Sequence, residues 1–201
     1  MSVTNTLATD GMTSTASIVS STEGDLSAEG LLLRGLLSVG TYELGDNDLV
    51  SQSGDLLIGY QFKTSDFRLR AFGGLTMLNR DFDNDEEGAY AGGLAGGKIM
   101  TQLLANHNSP YHMSVTGHYA TTLDKYGLSI QVGLKKDDLA FGPDVTVLGS
   151  DTFESYRLGM FINGMKLGGF KLNTEAGYGF GSEEGGGDNS PYLKLGTSKS
   201  F

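Results

Sequence analysis

Cysteine and tryptophan are absent from the sequence, and proline occurs only 3 times in 201 residues. Without cysteine the chain can form no disulfide framework, no zinc–thiolate site and no thiol nucleophile. No run of about 18 apolar residues occurs, so a helical membrane protein is excluded. Basic residues are also scarce, with 14 against 24 acidic ones and a formal net charge of −10. That balance argues against a nucleic-acid partner.

Glycine, in contrast, is abundant, with 31 residues. It shows no Gly-X-Y period, so a collagen-like chain is a poor interpretation. Glycines inside strands suit a barrel, where the backbone bends and large side chains crowd the interior. In place of tryptophan, 9 tyrosines and 10 phenylalanines are available for membrane interfaces.

The stretch 54–77 shows the pattern that recurs along the chain. Apolar residues fall on one face at every second position and charged or small residues fall on the other, on both sides of the polar turn 64–66. The apolar face before the turn is made by Leu56, Ile58, Tyr60 and Phe62. A period of two on either side of a tight turn predicts a β-hairpin.

Later segments repeat this length and end in aromatic residues, which is typical of strands that cross a membrane. We therefore predict an all-β fold: a closed, antiparallel, up-and-down transmembrane β-barrel formed by residues 1–201 as a single domain. About eleven strands are clear, and bacterial barrels have an even number, so we expect about 12 strands, with 10 as the alternative. Residues 1–22 are weakly patterned and form either a hairpin turning at 9–11 or one long strand.

The predicted connections alternate in length. Longer acidic ones lie near residues 45, 83 and 185, including a loop at 45–53 and the acidic tract 81–87, and tight ones lie near 65, 108, 137 and 168. We expect the long connections to face the cell exterior and the short ones the periplasm. Pro143 removes a donor from its strand, so a local bulge or bend is expected there.

The polar face of the strands predicts the lining of the lumen. This set contains Arg34, Gln61, Lys63, Arg68, Arg70, Lys98, His112, His118, Gln131, Asp144, Arg157, Asn163, Lys171 and Glu175, joined by Lys135 and Lys194. The lumen should thus be cationic on balance beneath an anionic mouth. Alternatively, these charges pair with one another and fill a barrel too narrow to conduct. A barrel of about twelve strands lies between the filled eight-stranded kind and the open sixteen-stranded kind, so strand number leaves both possibilities open.

Candidate chemical sites are few. Asp81, Asp83 and Asp85 alternate as at the start of a calcium loop, but Glu86 stands where that loop needs glycine. His112, Ser114 and His118 share a strand face, which could indicate a hydrolase in the barrel wall but is more often pore lining. We therefore expect no catalytic residues, no metal site and no cofactor.

Three segments resemble the cellulose biosynthesis protein BcsS family, and the similarity extends from about residue 24 over most of the chain. They are Phe141-Gly142-Pro143-Asp144-Val145, Leu148-Gly149-Ser150-Asp151 and Tyr156-Arg157-Leu158-Gly159. Two earlier stretches also resemble the family in order and spacing, namely Glu29-Gly30-Leu31-Leu32-Leu33-Arg34-Gly35 and Gly59-Tyr60-Gln61-Phe62. The resemblance implies an outer-membrane barrel of Gram-negative bacteria that accompanies a cellulose or related exopolysaccharide system, with no established catalytic residues. Phe201 is the terminal aromatic that such barrels usually present to the outer-membrane assembly machinery.

Three functional hypotheses follow. The first is a non-enzymatic barrel in the bacterial outer membrane that supports export or surface attachment of cellulose or a related exopolysaccharide. Its partners would be the lipid bilayer, the assembly machinery, and a polysaccharide or components of the synthesis complex. The second is a small-solute channel that prefers anions because its bore is cationic. The third is a soluble β-barrel with an apolar ligand, which requires the apolar face to point inward.

Overall fold

The computed structural model describes residues 2–8, 11–22, 25–26, 28–44, 47–82, 92–105, 109–151, 154–181 and 189–199. Within these ranges the chain forms twelve β-strands and one short 3-10 turn, Thr122–Asp124. The strands are β1 Ser2–Ala8, β2 Gly11–Ser21, β3 Gly30–Leu44, β4 Asn47–Lys63, β5 Phe67–Phe82, β6 Gly92–Ala105, β7 Tyr111–Ala120, β8 Lys125–Lys136, β9 Leu139–Gly149, β10 Glu154–Leu167, β11 Phe170–Gly181 and β12 Ser190–Ser198. No helix among the described residues is long and apolar enough to cross a membrane.

The sheet closes on itself. Each strand pairs antiparallel with its neighbours in sequence, and β1 pairs with β12 through contacts such as Leu7 with Leu193. This confirms the predicted all-β closed barrel and its twelve strands. The N-terminal residues supply the strand that the sequence count lacked, because β1 and β2 pair as a hairpin on either side of residues 9–10.

The outer wall of the barrel is apolar. Side chains alternate between faces along each strand, so Leu56 is 74% exposed while its neighbour Leu57 is 4% exposed. In β8, Val132 and Leu134 are likewise exposed on the outside. The hypothesis of a soluble barrel with its apolar face inward is therefore wrong for this structure.

Exposed aromatic residues form two belts on part of the outer wall, one near each end. One belt contains Tyr60, Phe62, Phe67, Tyr111 and Phe170, and the other contains Tyr119, Tyr126, Tyr156, Tyr178 and Phe180. Membrane barrels carry such aromatic girdles on both sides of an apolar band. The exterior therefore has the polarity that a bilayer requires.

The two ends of the barrel differ in their connections. The proximal end is where β1 begins and β12 ends, and the distal end is opposite. Strand ends flanking residues 65, 108, 137 and 168 lie at the proximal end, and those flanking 45, 83 and 185 lie at the distal end, as predicted. The lengths do not all follow the prediction, because only residues 45–46 separate β3 from β4 at the distal end, whereas residues 22–29 separate β2 from β3 at the proximal end. Which end faces the cell exterior stays a prediction. Most of the tract 81–87, the connection near 185 and Phe201 lie outside the described residues.

Two local predictions are wrong. The expected loop at 45–53 is mostly strand, because β3 and β4 stay paired as far as Leu44 with Asn47. Pro143 produces no bulge, since Gln131 pairs with Asp144 and Leu134 with Phe141 in the same register on either side of it. The ladder between β8 and β9 is nevertheless interrupted there, because Gly142 and Pro143 form no pairs with β8. The Pro143 side chain points to the outside of the barrel. The bulge instead lies in β10, between Asn163 and Met165.

Candidate functional site

The middle of the barrel interior is filled by side chains. Asp144 and Phe161, near the middle of β9 and β10, are each at most 1% exposed, as are Leu32 and Gln61 nearer the proximal ends of β3 and β4. Side chains lining a wide water-filled bore would be exposed to that water, as in large porins. The described part of the chain therefore forms a barrel that is packed at mid-height.

An apolar cluster fills the side of the interior formed by β3 to β6. Leu32, Leu57, Phe72 and Met100 form this cluster, and Val19 and Leu26 pack against it. Leu26 belongs to the connection between β2 and β3, so part of that connection packs against the interior at the proximal end.

Gln61 holds the same connection through its amide. Its Nε2 donates to the carbonyl oxygens of Leu26, at 3.1 Å, and of Ala28. Its Oε1 accepts from Arg70 Nε at 2.7 Å. Because the Gln61 side chain is fully buried, these hydrogen bonds hold the backbone at Leu26 and Ala28 against the barrel wall.

The opposite side of the interior is closed by Tyr192 and Asp144. Tyr192 Oη donates to Asp144 Oδ1 at 2.7 Å, and the Arg157 guanidinium lies 5.4 Å from the centre of the Tyr192 ring. A Cβ at Gly159 would collide with Tyr192 Oη and the Ala176 carbonyl oxygen. Glycine at this position therefore makes room for the inward tyrosine.

A second polar network connects β8, β10, β11 and β12. Gln131 Nε2 donates to Glu175 Oε1 at 2.8 Å, and Asn163 Nδ2 donates to Gln131 Oε1 at 3.0 Å. Lys194 Nζ lies 3.0 Å from both carboxylate oxygens of Glu175. The amides and the carboxylate are thus mutually satisfied.

A third network lies on β4, β5 and β6. Lys98 Nζ lies 2.6 Å from Asp55 Oδ2, and Thr76 Oγ1 donates to Asp55 Oδ1 at 2.8 Å. The carboxylate is almost fully buried, so the ammonium group compensates a charge that would otherwise be costly.

Two cavities in the interior are lined by residues of these networks. The larger has a volume of about 440 Å³, lies towards the proximal end, and is lined by groups that include His112, Gln131, Asn163, Asn173 and Lys194. The smaller has a volume of about 60 Å³ and is lined by Asp55, Lys98, His118 and Lys125 among others. They share no lining residue. His112 and His118 lie in different cavities, so the sequence trio with Ser114 does not form one site.

The predicted lumen residues divide into three groups. His112, Gln131, Asn163 and Glu175 line the larger cavity, together with Lys135 and Lys194. A second group lies on the inner face away from that cavity: Arg34, Gln61, Arg70, Lys98, His118, Asp144 and Arg157. Lys63, Arg68 and Lys171 lie at the proximal ends of their strands, and Lys171 Nζ is 3.8 Å from Asp138 Oδ1.

Sequence reasoning missed several contributors to these networks and cavities, among them Asp55, Lys125, Phe161 and Tyr192. Alternation alone could have placed Phe161, which shares its face with Arg157 and Asn163. Asp55 shares its face with Gln61, but it was close to a loop that the sequence misassigned.

The predictions about the charge of the lumen and about metal sites can be compared with the structure. The described inner wall carries an excess of basic groups: Arg34, Arg68, Arg70, Arg80, Lys98, Lys125, Lys135, Arg157 and Lys194, against Asp55, Asp144 and Glu175. Some of these charges nevertheless pair directly, as Lys98 and Lys194 do. Within the described ranges, no three His, Asp or Glu side chains are grouped as a metal site. Asp83 and Asp85 fall outside these ranges.

Solved structures share the fold. The chain is similar to a structure of KdgM porin in complex with disordered oligogalacturonate, with 13% identity, a TM-score of 0.61, and coverage of 100% of this chain and 98% of that chain. A second structure, of KdgM porin, gives 11% identity, a TM-score of 0.57, and coverage of 100% and 99%. At these identities the likeness shows the barrel fold. No curated protein matches the chain.

The sequence also matches a family model. The model is described as cellulose biosynthesis protein BcsS, and the match covers residues 4–201, almost the whole chain. The chain therefore belongs to the BcsS family of cellulose biosynthesis proteins.

Proposed function

We propose that this protein is a non-enzymatic barrel of the bacterial outer membrane that supports export or surface attachment of cellulose or a related exopolysaccharide, and that attachment is its main role. The observation that carries the proposal is a BcsS-family barrel with an apolar exterior and a filled interior. The family supports a role with cellulose, and the apolar exterior supports a place in a membrane. The filled interior favours a barrel that holds a polysaccharide chain over one that conducts it.

The exterior supports the membrane part of the proposal. Exposed aliphatic residues form a band between two aromatic belts, which suits a bilayer partner. A closed barrel of this kind reaches the outer membrane through the assembly machinery, which is therefore a second partner. Density-gradient fractionation of membranes tests this directly, and co-migration with the inner membrane would contradict it.

The interior favours attachment over export. A glucan chain passing through the barrel would have to displace Phe161, Tyr192 and Asp144, which are packed and hydrogen-bonded. Such displacement would leave Asp144 without its tyrosine donor, and an unsatisfied buried carboxylate is costly. A chain held at one end of the barrel requires no such rearrangement.

The second candidate is a channel for small anions. It is supported by the excess of basic groups on the inner wall, which would favour anions at any water-filled constriction. Reversal potentials in a salt gradient across a planar bilayer distinguish the two functions. Sizeable anion-selective currents from the native barrel would favour the channel, and selectivity for cations would contradict it.

Surface attachment is tested in a cellulose-producing host that carries this gene. We expect deletion to lower the fraction of cellulose bound to cells and to raise the fraction released, with total synthesis unchanged. Re-expression of the native chain should restore the bound fraction.

Two results would overturn attachment. One is an unchanged bound fraction after deletion. The other is a fall in total cellulose with the bound fraction unaltered, which would assign the barrel to synthesis.

A further inference from the structure

We propose that the larger cavity is a binding site for a short, uncharged saccharide. The inference rests on the proposed function, because it names the ligand class and the place where the barrel would hold a polysaccharide. The cavity volume of about 440 Å³ lies within the range of small-molecule sites, roughly 300–1,000 Å³. The chemical groups that line the cavity indicate which class of ligand it would bind.

Charged groups in the lining already have partners. Glu175 is held by Lys194, with both carboxylate oxygens 3.0 Å from Nζ. Asp138 lies 2.6 Å from Lys166 Nζ and 3.8 Å from Lys171 Nζ. A charged ligand would have to compete with these ion pairs, whereas a neutral ligand leaves them intact.

Uncharged groups in the lining have hydrogen-bonding capacity to spare. Asn173 Oδ1 accepts from the Gly164 amide at 3.1 Å, which leaves its Nδ2 group for a ligand. His112 Nε2 is buried and has no hydrogen-bond partner in the described chain. Leaving a buried polar atom unsatisfied costs about 1–3 kcal/mol. Sugar hydroxyl groups both donate and accept, so they suit the amide and the hydroxyl groups of Thr4 and Ser114. They would also satisfy His112 Nε2 once a rotation of the ring turns that buried atom towards the cavity.

An aromatic surface adjoins these polar groups. The His112 and Phe161 rings are 5.0 Å apart at an angle of 47°, and Phe161 is fully buried behind the histidine. Small-molecule sites commonly combine such rings with a few fixed polar groups. Phe161 supports the histidine without lining the cavity, so the His112 ring, with Leu104 and Ala140, provides the apolar wall for the faces of sugar rings.

The cavity is closed towards mid-height. It shares no lining residue with the smaller cavity, and Phe161, Tyr192 and Asp144 are packed in the barrel interior. A saccharide would therefore enter from the proximal end and stop inside the barrel. Holding surface polysaccharide there requires the proximal end to face the cell exterior, the reverse of the orientation expected from the connection lengths. The site would hold the end of a chain.

Calorimetric titration of the purified full-length barrel in detergent micelles tests the site. The probe is cellotriose, and trigalacturonate serves as a charged trisaccharide of equal length. We expect cellotriose to bind and trigalacturonate to bind at least severalfold more weakly. Asn173→Leu should weaken cellotriose binding about tenfold, the equivalent of one hydrogen bond of about 1.4 kcal/mol.

Two further variants make the result specific. His112→Phe keeps the ring contact with Phe161 but removes Nε2, so it should also weaken binding if Asn173→Leu fails to fold. Ser53→Val, in the smaller cavity, should leave cellotriose binding unchanged. Heat-modified mobility on gels reports whether each variant folds.

The proposal is overturned if the native barrel binds no cellotriose, if trigalacturonate binds more tightly, or if a folded Asn173 or His112 variant binds as tightly as the native chain. These experiments distinguish a wrong saccharide site from a wrong proposed function. Loss of cell-bound cellulose on deletion, without cellotriose binding, would remove this site and keep surface attachment. Cellotriose binding with unchanged attachment would keep the site and remove the proposed function.

Discussion

At the scale of single residues, the buried ion pair of Asp55 and Lys98 ties three neighbouring strands together. Asp55 and Lys98 side chains are 2% and 17% exposed, and Thr76 donates to the same carboxylate. Removing one partner of a buried pair leaves an uncompensated charge, while replacing both with apolar groups is often tolerated. The pair therefore sets conformation more than it adds net stability.

Asp55→Ala is expected to lower the free energy of unfolding by about 3–5 kcal/mol, because Lys98 then stays buried without its partner. Adding Lys98→Met should restore most of the loss. Urea unfolding of the barrel from lipid vesicles measures both. Asp138→Ala is the control, since its ion pair with Lys166 is largely exposed and should matter little. Equal losses in the single and double variants would show that the ion pair is not the cause.

Sequence alternation could place single residues on a face but could not give their partners. Gln131 and Asp144 were assigned to the interior from the period of two. Their partners Glu175 and Tyr192 are 44 and 48 residues further along the chain. Those contacts depend on the register of several strands and on closure of the sheet, which no local pattern contains. The sequence therefore indicated the lining of the interior but not its networks or cavities.

At the scale of strands and turns, Gly164 determines the geometry of the β10–β11 hairpin. Its φ is 89°, in the left-handed region that glycine adopts without strain. Its amide donates to Asn173 Oδ1, and a Cβ would collide with the carbonyl oxygen of Asp138. Gly164 and Asn173 both line the larger cavity, so the bulge in β10 helps to shape the wall of that cavity.

Gly164→Ala is expected to destabilise the barrel by about 1–3 kcal/mol, through backbone strain and the collision with Asp138. The midpoint of urea unfolding measures the effect. Gly73→Ala is the matched control, because a Cβ there meets nothing within 4 Å and the strand backbone is regular. A similar midpoint for the two variants would contradict the role assigned to the bulge.

The elements themselves were largely predictable, since the period of two and polar turns reveal strands that are apolar on one face. The bulge was not predictable, because nothing in the sequence indicates which of the 31 glycines adopt a positive φ. The proline indicated a bulge that is absent, since the register continues past Pro143, although the β8–β9 ladder is interrupted at that residue. The strand β1 was ambiguous because its residues are mostly polar, and only pairing with β12 reveals its place.

At the scale of the whole molecule, an apolar exterior and a filled interior have different origins in the sequence. The exterior follows from alternation and was predicted. The filling depends on a few large inward residues and on glycines that accommodate them, as Gly159 does for Tyr192 and Gly133 for Phe161. Twelve strands alone allow either a filled or an open lumen.

Removing two of the large inward side chains should therefore open the barrel. We expect the native protein to show little conductance in planar bilayers, and Phe161→Ala with Tyr192→Ala to raise conductance severalfold. The widened path would pass Arg157 and Lys194, so the new current should prefer anions. Single-channel recording in a salt gradient measures both quantities.

The matched control is Phe141→Ala with Tyr156→Ala, which removes the same two side-chain types from the outer wall, where they are 43% and 46% exposed. This variant should conduct as little as the native barrel, because the lumen is unchanged. Large native currents, or equal currents from the inner and outer variants, would mean that Phe161 and Tyr192 do not close the lumen. Attachment would then lose its physical basis, and a conducting channel would become the better account of the same fold.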